Sequence, residues 1–174
     1  MSSITTPNLT PPLTAAKVGV MLAITAEAMY FAGLMAAYLV LKANNVPQLA
    51  KSVDGSFSGL FIASILFLCA APVTFAMVVR STGRNRIAWL ALTLLFGVAA
   101  ASAIAAQWQF DAVAHNALSS SILLLSISLF AHVVITLLAT LVAAIQGTGF
   151  DNIRLLWNMA AVIALLNALL LIGV

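Results

Sequence analysis

Residues 17–42 read KVGVMLAITAEAMYFAGLMAAYLVLK, an apolar run with a lysine at each end and one carboxylate, Glu27, inside it. At ~1.5 Å per residue, about 26 residues more than span a ~30 Å hydrocarbon core, so the run predicts a transmembrane helix whose end lysines snorkel to the headgroups. Glu27 then lies roughly 15 Å from the Lys17 end, close to the bilayer midplane. A carboxyl at that depth costs on the order of several kcal/mol unless it faces other helices and finds a hydrogen-bond partner. Glu27 is therefore a candidate functional group, and its partner is the first thing to look for.

The whole chain shares that solvent. Of 174 residues 64% are hydrophobic and 6% charged, and the mean hydropathy is +1.17, too apolar to cover a water-soluble surface. The composition is that of an integral membrane protein. Seven basic residues leave a net charge of +3, and they sit at the ends of apolar runs, which suits topology and anionic lipid rather than nucleic acid. The single cysteine, Cys69, rules out an intrachain disulfide or a cysteine-pair metal site and reads as packing.

Outward from the first span, residues 1–16 form a Ser-, Thr- and Pro-rich polar arm without the pattern of a secretory signal, and Thr14 is placed to cap the helix that begins near Ala15. Beyond Lys42 a polar, turn-rich stretch leads to a second span over about 58–79. Pro72 inside that span removes a backbone bond to the carbonyl of Leu68, so a bend is expected unless Ser64 or a neighbour compensates. The connection RSTGRNR carries Arg80, Arg84 and Arg86. Further spans cover about 87–107, 119–145 and 154–172, with Trp108 in an interfacial belt and Asp111 and His115 in a loop between two of them. The expected fold is all-α, a single five-helix transmembrane domain over residues 17–174.

Lys17, Arg80, Arg84, Arg86 and Arg154 fall on one side of the membrane and Lys42 and Lys51 on the other, which predicts a cytoplasmic amino terminus and an external carboxy terminus. The three loop arginines suit anionic lipid headgroups, worth about 1 kcal/mol each, or simple topogenesis.

The fourth span supplies a partner for Glu27. In SSSILLLSISLFAHVVITLLAT, residues Ser128, His132, Thr136 and Thr140 recur every four positions and make one polar stripe. His132 lies roughly 20 Å in from Ser119, at a depth similar to that of Glu27 but reached from the opposite side. The two can meet as a pair that shares a proton. The pair reads either as a packing lock, with Ala23, Ala26, Gly33, Ser128 and Thr136 letting helices approach closely, or as a proton-carrying group. One midplane His and one Glu are too few ligands for a metal.

The segment GVMLAITAEAMYFAG resembles the span that begins G-x-W-L-F-x-x-S-E-x-M-F-F-A-G in subunit III of haem-copper terminal oxidases. Gly19, Glu27, Met29, Phe31, Ala32 and Gly33 stand on matching positions, with Tyr38 farther along. SISLFAHVVITLLATLV resembles the family's T-x-F-H-G-x-H-V-x-x-G span, with His132 and Val133 on its second His and the following Val, and Gln107 falls where a Gln often precedes an exposed loop. The resemblance covers the order of spans in the five-helix form of many bacterial members. There are departures: Met21 replaces a tryptophan, and in WNMAAVIA Trp157 remains while Asn158 and Ala161 stand for a His and an Asp of the last span. The polar cluster of that span is not carried over.

The resemblance implies a non-catalytic subunit in a bacterial plasma membrane, beside a haem- and copper-bearing catalytic subunit I, that stabilises it, holds phospholipid between helices and supports proton uptake in aerobic respiration. Haem and copper are expected in the partner subunits and none in this chain, which lacks a set of axial histidines or a copper-binding Cys or Met cluster. Two alternatives stay open: a nitric oxide reductase-associated relative, and a small proton-coupled carrier in which Glu27 is the ion-binding group.

Overall fold

The computed structural model describes residues 15–44, 59–111 and 117–172. They form five α-helices: α1 (Ala15–Asn44), α2 (Gly59–Arg80), α3 (Gly83–Asp111), α4 (Ala117–Gln146) and α5 (Phe150–Ile172). The first fourteen residues of the polar arm, with Thr14, the loop that carries Lys51, and His115 lie outside the described residues, as does the side chain of Asp111. Each helix is long and apolar enough to cross a membrane, the architecture of a multi-pass membrane protein.

The helices overrun the expected spans at most ends. The arginine connection shrinks to Ser81 and Thr82, because α3 begins at Gly83 and takes Arg84 and Arg86 into its first turn. Between α4 and α5 only residues 147–149 are non-helical. Gly147 adopts φ 70° and its N–H donates to Ala143 O at 2.8 Å, a left-handed cap that ends α4 and that a β-carbon would strain. Helix α2 continues through Pro72. Ser64 does not serve the orphaned Leu68 carbonyl, since its hydroxyl donates to Phe61 O at 2.7 Å.

Four helices close a ring in which α2 packs on α3 and α5, and α4 packs on the same two. Helix α1 stands outside the ring against α4 and α5. Its contact is a narrow seam through Val20, Ile24, Glu27, Phe31, Leu34, Tyr38 and Leu41, alternating steps of four and three as in a coiled coil. Only Phe31, Tyr38 and Lys42 on this helix are buried. Ala23, Ala26 and Gly33, expected at the close approach, are exposed, and a β-carbon on Gly33 would meet nothing within 4 Å. A helix with two neighbours turns most of its surface outward, so small residues on that surface set no helix spacing.

The close approach occurs on α3 instead. Thr93, Gly97, Ala100, Ala101 and Ala103 are buried, and a β-carbon at Gly97 would fall 2.6 Å from both Leu137 Cδ2 and Trp157 Cη2. Gly97 thereby admits the fully buried Trp157 indole between α3, α4 and α5.

Candidate functional site

With no bulk water in the bilayer core, each polar group on these helices needs a hydrogen-bond partner inside the bundle. The chain meets this need repeatedly with one device: a hydroxyl gives its proton to a carbonyl of its own helix and accepts a second bond from a neighbouring helix. Tyr30 on α1 lies 3.1 Å from Ser128 Oγ, whose proton goes to Leu124 O at 2.8 Å, so the phenol is the donor. Trp108 Nε1 on α3 donates to Ser126 Oγ at 3.0 Å, and Ser126 donates to Leu123 O. Trp157 Nε1 on α5 donates to Thr140 Oγ1 at 3.1 Å, and Thr140 donates to Thr136 O at 2.7 Å. Helix α4 thus receives one aromatic donor from each of three neighbours. Between α2 and α3 the same pattern joins Thr93 to Thr74 at 2.8 Å, and Thr74 donates to Ala71 O.

Within this frame Glu27 and His132, 105 residues apart, are in contact through Oε1 and Nδ1. The imidazole is buried, at 3% exposure, whereas the Glu27 side chain is 27% exposed at the groove between α1 and α4. The second ring nitrogen, Nε2, donates to the carbonyl of Leu156 on α5 at 3.2 Å. That carbonyl can only accept, which fixes a proton on Nε2 and leaves Nδ1 facing the carboxyl. A single further proton lies between Nδ1 and Oε1. Placed on the oxygen it makes a neutral acid and a neutral imidazole, and placed on the nitrogen it makes an ion pair. Both arrangements have zero net charge, so the site can pass a proton internally without burying an uncompensated charge.

On α4 the members of the expected stripe meet different partners. Ser128 and His132 hold α1, His132 and Thr140 hold α5, and Thr136 is fully buried with no hydrogen-bond partner for Oγ1 among the described residues. Sequence reasoning missed the Leu156 carbonyl, a backbone acceptor that any residue type would supply, and the aromatic donors Tyr30 and Trp157.

Arg80, Arg84 and Arg86 do not act alike. Arg80 and Arg84 are exposed, but the Arg86 guanidinium stacks on the Phe150 ring with Cζ 3.9 Å from its centroid, and this stack pins the start of α5 to that of α3. Lys17 and Arg154 line one depression with Asp151, so Lys17, Arg80, Arg84, Arg86 and Arg154 share one end of the bundle. Lys42 is at the other end and does not snorkel freely: it is 6% exposed, and Nζ donates to Leu170 O at 3.2 Å in the last turn of α5. A cation there complements the negative end of that helix. Trp108, expected in an interfacial belt, is half-buried with its ring edge-on to Phe130 at 5.0 Å.

No protein-family model matches the chain, and no curated protein matches it. The resemblance to subunit III rests on the motifs quoted above.

Proposed function

We propose that the chain is a non-catalytic, subunit III-like component of a haem-copper terminal oxidase in a bacterial plasma membrane, with its basic end in the cytoplasm. One observation carries the reading: Glu27 and His132, the two intramembrane ionisable residues that fall on family motifs, meet at mid-span between α1 and α4. The pair ties the peripheral α1 to the ring and holds an exchangeable proton at the lipid-facing groove. The broad apolar surface of α1, with Met21, Leu22, Met29 and Val40 all about half exposed or more, offers area to a catalytic subunit and to lipid chains. Haem and copper belong to the partner in this reading, since both nitrogens of His132 are already engaged.

A tagged full-length chain drawn from mild detergent tests this directly. Haem bands in a reduced-minus-oxidised spectrum, together with a large multi-span partner identified by mass, are the expected result. A colourless preparation of this chain alone, in detergent that keeps respiratory complexes intact, would overturn it. A proton-coupled carrier is the second reading, favoured by the partial exposure of Glu27 beside a group that can take its proton. Solute-driven proton movement in liposomes containing only this chain would select it.

A further inference from the structure

At the end opposite the arginines, the five helices line a partly open cavity of about 40 Å³, most of whose wall is apolar. Each helix contributes one polar side chain to its lining: Tyr38 from α1, Ser64 from α2, Gln107 from α3, Ser126 from α4 and Asn167 from α5. All are uncharged donors or acceptors. Tyr38 is fully buried and Asn167 is 7% exposed, and neither Tyr38 Oη nor Asn167 Oδ1 has a hydrogen-bond partner among the described residues. Two unpaired polar atoms on side chains that line one small chamber of a membrane protein are costly unless a guest satisfies both. Lys42 borders the chamber, with Nζ 5.7 Å above the Tyr38 ring and bonded to the carbonyl of Leu170, which also lines it.

We propose that this cavity is a water-binding site, in which water bridges Tyr38 Oη and Asn167 Oδ1 and is shared with the other polar side chains of the lining. The volume selects the guest. A chamber of about 40 Å³ takes roughly three to four waters at ~10–15 Å³ each and is too small for a ring compound or a lipid headgroup. The lining selects it too, because a guest that both donates and accepts suits a phenol and an amide oxygen, whereas a cation would meet no carboxylate on the walls and would face the Lys42 ammonium. Lys42 supplies the connection to the membrane surface, since a buried ammonium whose three N–H donors have one acceptor among the described residues draws water to itself. The water would touch a polar side chain from each of the five helices, so the site adds a tether for the peripheral helix. Phe31 and Leu129, both buried, lie between this chamber and the Glu27–His132 pair along α1 and α4, which keeps the two sites separate.

Hydroxyl-radical footprinting of the full chain in lipid nanodiscs tests the proposal, because radicals formed from bound water label the side chains beside it. Tyr38 and Trp157 are equally buried and both are reactive side chains. Tyr38 is expected to be oxidised several-fold faster than Trp157, and Asn167→Leu should bring Tyr38 down to the Trp157 rate. Equal rates in the parent chain, or a Tyr38 rate unchanged by Asn167→Leu, would overturn the site. Tyr38→Phe gives an independent check that removes a single oxygen. A lower Tm is expected if that oxygen is bonded to water, whereas a higher Tm would mean that a dry, unpaired hydroxyl had been removed.

Discussion

Replacing Glu27 tests whether the midplane pair is a lock, and two substitutions divide the answer. Glu27→Ala removes the one partner that His132 Nδ1 has among the described residues while Nε2 stays on the Leu156 carbonyl, leaving an unpaired nitrogen in a side chain that is 3% exposed. An orphaned buried polar group costs about 1–3 kcal/mol. Interhelical bonds in membranes average ~0.6 kcal/mol and reach ~1.7. The 27% exposure of Glu27 argues against the largest values and the near-complete burial of His132 against the smallest. We therefore expect a coupling of about 1–2 kcal/mol in the Glu27→Ala, His132→Ala double-mutant cycle. Glu27→Gln keeps the geometry, because its amide N–H can donate to Nδ1 with the Nε2 proton undisturbed, and it should stay within about 1 kcal/mol of the parent. The assay is unfolding of the full chain by a denaturing detergent in mixed micelles, followed by tryptophan fluorescence, with hydrogen exchange along α1 reporting its release from α4 and α5. A cycle coupling below about 0.3 kcal/mol would refute the lock. So would a Glu27→Gln variant as unstable as Glu27→Ala, since the bond would then depend on an ionised carboxylate.

Three further substitutions probe the frame around the pair. Gly97→Ala drives a methyl group into the Trp157 and Leu137 side chains and should cost about 1–3 kcal/mol, measured by the same unfolding titration, with Leu137→Ala in the same chain restoring part of the loss. Lys42→Met removes the cation bonded to Leu170 O. Hydrogen exchange in the last turn of α5 should accelerate, by the equivalent of about 0.3–1 kcal/mol, while exchange at the other end of α5 stays unchanged. Arg86→Gln loses the stack on Phe150 and should destabilise the bundle by about 0.5–2 kcal/mol. Arg80→Gln and Arg84→Gln, at exposed positions, should leave stability within about 0.5 kcal/mol of the parent, as thermal unfolding in detergent would show.

The number of apolar helices and their order were legible without any structure. Hydropathy belongs to each residue, the bilayer fixes the length of a span, and a carboxyl and an imidazole at one depth in an apolar chain have few partners to choose from. The polar stripe of α4 was legible for the same reason, because four polar residues at a spacing of four are conspicuous against leucine and isoleucine. Facing was not legible. Apart from the α4 stripe the helices are apolar all round, so no amphipathic pattern says which side meets a neighbour and which meets lipid. That is why Ala23, Ala26 and Gly33, apt for close packing by type, are exposed on a helix with two neighbours, while Gly97, one small residue among many on α3, sets the fit around Trp157. Lys42 and Arg86 read as membrane-surface charges, and only packing turned one onto the end of α5 and the other onto Phe150. Tyr38 and Asn167 carry no local signal at all, since they belong to a common chamber only once five helices have closed around it. Sequence fixes what each segment must cross, because crossing depends on the residues of that segment alone. Tertiary structure decides which polar atoms answer one another, because in a bilayer those partners come from residues far apart in the chain.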